Sequence, residues 1–258
     1  MTNILLSGCN GKMGQVISRL AVEFAGVEIV AGVDVNNNLS NYYPAFKSID
    51  EVDKSIKFDV IIDFSHPSSF EPLMKYCSEN CAPIVVATTG LSEEQKSKMQ
   101  EYKEKFPLFF TANMSLGINL IMDLAKKAAK VLEGNFDIEI MEKHHNKKID
   151  APSGTALAIA DEINSVLTEK CDYVFDRSSR REKRTQSEIG IHAIRGGTIV
   201  GEHSIIFAGT DEVVEIKHSA NSKEIFGIGA LKAAVFMHGK SQSPGLYNMN
   251  DLIGCLNP

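Results

Sequence analysis

At 258 residues the chain can bury a sizeable core, in one large domain or two modest ones. Hydrophobic residues make up 43% and charged residues 23%, a globular balance rather than a disordered one. Lysine and arginine total 27 against 33 aspartates and glutamates, and a net charge of -6 argues against broad phosphate-backbone binding, so no nucleic-acid partner is expected.

Asn3–Ser7 reads as a short apolar strand and carries neither the basic leader nor the long apolar run of a signal peptide. The glycine turn Gly8-Cys9-Asn10-Gly11-Lys12-Met13-Gly14 follows, and Lys12–Phe24 has helical periodicity through Met13, Val16, Ile17 and Leu20. Val27–Asp34 and Phe58–Phe64 are predicted strands, and Pro67–Asn80 a helix. Pro83–Thr88 is a further strand, Ser92–Lys105 a charged amphipathic helix, and Pro107–Thr111 a strand again. Near-continuous apolar runs such as Val60-Ile61-Ile62 and Ile84-Val85-Val86 suit a sheet covered on both faces. The alternation predicts an α/β fold whose N-terminal part is a Rossmann-like, doubly wound parallel sheet.

After Ser115 the rhythm changes. Ile118–Leu132 is a long helix, Phe136–His144 a strand, and a helix runs from Gly154 through Leu167. Ile189–Ile194, Ile199–Phe207 and Val213–His218 are strands, with turn signals at Gly196-Gly197 and Gly209-Thr210-Asp211. This region is predicted as α+β with an open mixed sheet. Glu224–His238 is the last predicted helix, able to pack back on the first domain. The expected division is a dinucleotide-binding domain at 1–115, completed by 226–258, and a substrate-binding and oligomerisation domain at 116–225. The basic run Arg177, Arg180, Arg181, Lys183 and Arg184 reads as a solvated loop near a domain edge, with a contact to substrate or a neighbouring subunit as the other reading.

The five cysteines are odd in number and irregularly placed, which argues for a reducing compartment, and no apolar run is long enough for a bilayer. A cytoplasmic protein without membrane contact is expected. Cys77 and Cys81 sit four apart, which on a helix means one face; they read as core packing, and no metal site is expected.

Two segments carry chemistry. The glycine turn lets backbone N–H groups approach a pyrophosphate at a helix N-terminus. Asp34 ends the second strand 20 residues after Gly14, where a carboxylate accepts hydrogen bonds from a ribose diol. Val35, Asn36, Asn37 and Asn38 follow it without a cation, so NADH is expected to be preferred and NADPH tolerated, with Lys12 the one nearby cation to compensate a 2′-phosphate. Thr88-Thr89-Gly90 and Thr111-Ala112-Asn113-Met114-Ser115 end further strands, where ligands of open α/β sheets lie.

The second segment runs from Glu142 to Ala156. His144 and His145 sit at a strand end with side chains pointing in opposite directions, which disfavours joint metal chelation. One histidine then faces the reacting atom and the other helps bind, since imidazole suits proton delivery near neutral pH. A lysine, Lys147 or Lys148, and the helix start at Pro152-Ser153-Gly154-Thr155 form a pocket for a carboxylate. Asp150 orients the turn.

The His-His-x-x-Lys-x-Asp-Ala-Pro-Ser-Gly-Thr string, the glycine turn, Thr88-Thr89-Gly90 and Ala112-Asn113-Met114-Ser115 resemble the dihydrodipicolinate reductase (4-hydroxy-tetrahydrodipicolinate reductase) family. The likeness extends through Gly196-Gly197 and Val200-Gly201-Glu202-His203 to the final helix. It implies a homotetramer of two-domain subunits that close over cofactor and substrate, and hydride transfer from NADH or NADPH to a cyclic unsaturated dicarboxylate on the diaminopimelate route to lysine. It implies His144 as proton donor, Lys148 as assisting donor and substrate ligand, and His145, Ser153, Gly154 and Thr155 at the substrate. It further implies that Gly8, Cys9, Asn10, Gly11, Lys12, Met13, Asp34, Ala87, Thr88, Thr89, Thr111, Ala112, Asn113 and Met114 wrap the cofactor. Arg195, just before Gly196, is expected to approach substrate. Other readings are another amino-acid-pathway dehydrogenase on this architecture, a non-catalytic nicotinamide sensor, and a Schiff-base lyase using Lys148.

Overall fold

Strands without a polar face need apolar cover on both sides. The computed structural model, which describes residues 1–36 and 40–256, supplies it. One unit comprises Met1–Leu116 and the described residues from Glu224 onward, and Gly117–Lys223 forms the other. In the first, β1 (Thr2–Ser7) leads through α1 (Lys12–Glu23) to β2 (Val27–Val33) and the two-residue β3 (Ala45–Phe46). β4 (Val60–Asp63), α2 (Phe70–Asn80), β5 (Ile84–Val86), α3 (Glu93–Tyr102) and β6 (Pro107–Phe110) continue the alternation. α3 starts at a capping box, in which Ser92 Oγ accepts from the Gln95 N–H and Gln95 Oε1 from the Ser92 N–H. Cys77 is buried in the core, whereas Cys81 leaves the helical face: it caps α2 in the left-handed region at φ 51° and is exposed.

The second unit is built on α4 (Leu116–Leu132), β7 (Asp137–His144), α5 (Gly154–Val166), β8 (Asp172–Val174), β9 (Glu188–Arg195), β10 (Gly201–Ala208) and β11 (Val213–Ala220). Its five-stranded sheet has the order β11-β10-β7-β9-β8. β10 is antiparallel to both β11 and β7, while β7, β9 and β8 run parallel, so the sheet is mixed. The turn at Gly196-Gly197 does not join neighbours, as a hairpin reading of that dipeptide supposes. β7 lies between β9 and β10, and the connection crosses its end, where Gly196 N–H donates to His144 O and Asn146 N–H to Gly197 O. Ile138, Ile140, Ile189, Ile191, Ile205 and Phe207 form the apolar face under α4 and α5.

The basic run is only partly solvated. Arg184 turns inward to bond Asp137, Glu139 and the carbonyls of Ile138 and Glu188, and Arg177 pairs with Glu188. The carboxylates on β7 and β9 supply the partners that sequence spacing did not show.

α6 (Glu224–His238) is not the last element. β12 (Gly245–Tyr247) adds to β6, and α7 (Met249–Leu256) follows. The completed sheet of the first unit has seven strands in the order β12-β6-β5-β4-β1-β2-β3, all parallel. Alternate residues point to opposite faces, so Ile4, Leu6, Ile62 and Val85 meet one core with α1 and α6, while Leu5, Ile61, Ile84 and Val86 meet another with α2 and α3. α6 is apolar nearly all round because it is covered on several sides. Its Gly229 admits the Met114 backbone, since a Cβ there would stand 1.8 Å from Met114 O. No described helix is long and apolar enough to cross a membrane.

Candidate active site

The first unit carries a cleft of about 440 Å³ at the carboxyl ends of its strands, where the order reverses between β1 and β4. Gly8, Gly11, Asp34, Asn36 and Lys47 are among its lining residues. The glycine turn is tight because its atoms leave no room for side chains. Gly8 has φ +78°, and a Cβ on Gly14 would stand 2.1 Å from Gly8 O. Gly11, the N-cap of α1, gives no side-chain cap, and no acidic residue stands in the first turn. The helix start is thereby left to an anion.

Asp34 is pinned for recognition. Its Oδ2 accepts the Asn10 N–H at 2.9 Å and its Oδ1 the Asn36 N–H at 2.9 Å, and a carboxylate has lone pairs left for a ribose diol. Asn37 and Asn38 lie outside the described residues. These features fit a dinucleotide, which when bound supplies a hydride.

Other residues named from sequence occupy varied positions. Cys9 turns its thiol into the core, where burial, with Asp34 nearby, pushes its pKa up to about 11, so it offers the cleft only backbone. Lys12 is exposed in the first turn of α1 and Met13 half-buried behind it. Ala87 and Thr88 follow β5, and Thr88 Oγ1 donates to the buried Asp63 at 2.7 Å, so this hydroxyl ties strand ends together. Thr89 is exposed. Thr111 Oγ1 donates to Asn113 O, Asn113 Oδ1 accepts the Ser115 N–H, Ala112 is exposed, and the Met114 side chain is core.

In the second unit the site is organised by a residue the sequence reading gave no role. Glu142 and His144 are two apart on β7 and share a face. Glu142 is fully buried. Its Oε2 accepts His144 Nδ1 at 2.6 Å and Arg195 Nη1 at 2.7 Å; its Oε1 accepts Arg195 Nη2 at 2.6 Å and the Ser153 N–H at 3.0 Å. Burial works to push its pKa up, yet the Arg195 guanidinium, His144 and the Ser153 N–H together hold it below the ordinary value. Arg195 binds Glu142 and Asp150 O, which places it within the network around His144. With Nδ1 engaged, His144 turns Nε2 toward Gly201, whose lack of a side chain makes room: a Cβ there would stand 3.1 Å from that nitrogen.

Lys148 Nζ pairs with Asp150 Oδ2 at 2.8 Å, which holds the Asp150 carboxyl below its usual range. His145 follows the end of β7, and its carbonyl accepts the Lys148 N–H. Ser153 caps α5 through its Oγ, which accepts the Ala156 N–H and lies 3.3 Å from His203 Nε2. At 2% exposure its hydroxyl serves the interior rather than a ligand. Gly154 is exposed with open space where a Cβ would be, and Thr155 is half-buried beside it. The bonds through Glu142, Arg195 and Asp150 thus join His144, Lys148 and the start of α5 in one network.

His203, on β10 opposite Glu142, packs edge-on against the His144 ring at 5.2 Å. Burial, with His144 beside it, pulls its pKa down to about 4 from 6.5. A lowered histidine value means stability fully present above pH 6.5 and lost as pH falls through about 4. Urea titrations across that window are expected to show a loss on the order of 3 kcal/mol that His203→Gln removes; an unchanged slope in the variant would assign the loss elsewhere.

Comparison with known proteins bears on this arrangement. The family model described as "Dihydrodipicolinate reductase, N-terminus" matches residues 2–114, and that described as "Dihydrodipicolinate reductase, C-terminus" matches residues 117–253. The chain belongs to the dihydrodipicolinate reductase family. Among curated members of this family of NAD(P)H-dependent oxidoreductases, the 4-hydroxy-tetrahydrodipicolinate reductase of Caldanaerobacter subterraneus subsp. tengcongensis is 54% identical over 98% of each chain. That of Clostridium tetani is 50% identical, covering 98% of this chain and 97% of its own. A solved, dipicolinate-bound dihydrodipicolinate reductase from Paenisporosarcina sp. TG-14 has a TM-score of 0.78 at 26% identity, and the match covers 97% of this chain and 99% of its own. The C-terminal family model runs past Lys223, so the dihydrodipicolinate reductase match includes α6, β12 and part of α7, which return to the first unit.

Proposed function

We propose that the protein reduces 4-hydroxy-tetrahydrodipicolinate to tetrahydrodipicolinate with NADH or NADPH, in the diaminopimelate route to lysine. The observation that carries this is the match of both family models across the chain, with relatives of that name at 54% and 50% identity. The bound dipicolinate named for the Paenisporosarcina relative supports a cyclic dicarboxylate as substrate class. In this reading residues 1–115, completed by 226–258, bind the dinucleotide, and 116–225 bind substrate and form a homotetramer in the cytoplasm.

His144 holds the transferable proton on Nε2 while Glu142 keeps Nδ1 engaged and the ring oriented. Lys148 exchanges its Asp150 partner for a substrate carboxylate and assists the proton transfer. Gly154 and Thr155 at the start of α5 receive the other carboxylate, with His145 beside them. Ser153 contributes by capping that helix. Gly8 to Met13, Asp34, Ala87 to Thr89 and Thr111 to Met114 hold the cofactor, several of them by backbone alone.

Asp34 favours the ribose diol over a 2′-phosphate, so NADH is the better donor. With substrate generated in situ by the synthase that precedes this step, loss of nicotinamide absorbance should be faster in kcat/KM with NADH than with NADPH. A strong NADPH preference overturns the cofactor assignment, and no turnover with either overturns the substrate.

A further inference from the structure

The cleft of the first unit contains a cation to which no sequence pattern points. β2 and β3 run parallel, with Gly32 opposite Ala45 and Val33 opposite Phe46, and the Asp34 N–H donates to Phe46 O at 2.9 Å. One residue further along the same register stand Asp34 and Lys47, and both line the cleft. Asp34 is held by the Asn10 and Asn36 N–H groups. The Lys47 ammonium makes no ion pair among the described residues, with Asp34 or any other carboxylate. The cleft thus offers, side by side, an anchored acceptor for a ribose hydroxyl and an unpaired donor of positive charge.

We infer that Lys47 is the 2′-phosphate ligand of this cleft and sets how much NADPH the protein accepts. This rests on the nicotinamide cofactor reading above and deepens it. Asp34 alone would repel a 2′-phosphate, whereas an ammonium at the next register position offsets that repulsion by a charge-assisted bond. With NADH the two residues divide differently: Asp34 takes the diol and Lys47 stays in solvent. Lys12, the cation proposed from sequence, is in the first turn of α1, whereas Lys47 lines the cleft beside Asp34.

The test compares full-length wild-type protein with Lys47→Met, Lys47→Arg and Lys12→Met. Calorimetric Kd values are measured for NADPH, NADH, 2′,5′-adenosine bisphosphate and 5′-AMP without substrate, alongside kcat/KM for both dinucleotides. Lys47→Met is expected to weaken NADPH and the bisphosphate about tenfold or more, and to leave NADH and 5′-AMP within about twofold. Lys47→Arg should keep the phosphate discrimination. Equal weakening of both dinucleotides, no change in either, or loss of discrimination in Lys12→Met alone would overturn the assignment while leaving the cofactor reading intact. Wild-type protein that binds neither dinucleotide overturns the cofactor reading itself, and the assignment to Lys47 with it.

Discussion

Replacing His144 with alanine is expected to lower kcat by ~10²-fold or more, the usual scale for loss of a general acid. KM for NADH should change little, because the His144 ring bonds Glu142 and packs on His203, while the glycine turn and Asp34 of the first unit are left as they are. The substitution leaves Glu142 with three of its four partners, the two Arg195 nitrogens and the Ser153 N–H, so the variant should fold. A thermal unfolding curve close to wild type, beside collapsed turnover, is the expected pair of results. Near wild-type turnover refutes the role of His144 and passes it to Lys148, whose ammonium then has to be the proton donor.

Glu142→Gln should be costly in both stability and rate. The carboxylate takes four hydrogen bonds with no exposed surface, and an amide has a single oxygen to accept them. Its NH₂ would face the Arg195 guanidinium, donor against donor. Breaking a buried ion pair on one side typically costs about 3–5 kcal/mol, which urea unfolding would read directly. A pH series separates this electrostatic role from simple packing. Because the folded pKa of Glu142 lies below the ordinary 4.5, its contribution is fully present above that pH and is lost as pH falls through the lower folded value. The variant should lack that part of the acid dependence. It should also lose kcat more than it gains KM, since the His144 ring loses its Nδ1 partner. Wild-type stability and kcat in Glu142→Gln would show that the network is incidental.

Much of the chemistry is legible in the sequence itself. The glycine turn between a strand and a helix, with Asp34 at the end of the next strand, is a local pattern, and so are two histidines, a lysine and a helix start within fifteen residues. Such features depend on neighbours in the chain, which spacing reports faithfully. Glu142 was half-legible, because its i, i+2 relation to His144 puts both on one face of a strand. Its value to the site comes from Arg195, 53 residues on, and no spacing rule links those two.

Sequence therefore determined the two kinds of sheet, the apolar strands of each core, the family and the residue types of the site. Those follow from local periodicity and from a string long enough to be specific. Only the tertiary structure decided which polar atoms are already engaged. The Ser153 and Thr88 hydroxyls and the two terminal nitrogens of Arg195 are bonded within the fold, Lys47 stands at Asp34 across a β2–β3 register, and β7 separates two strands that a Gly-Gly turn joins. The physical reason is common to all of them. A hydrogen-bonding group is satisfied by whatever the fold brings within about 3 Å, and that partner comes from a distant part of the chain as readily as from the next residue.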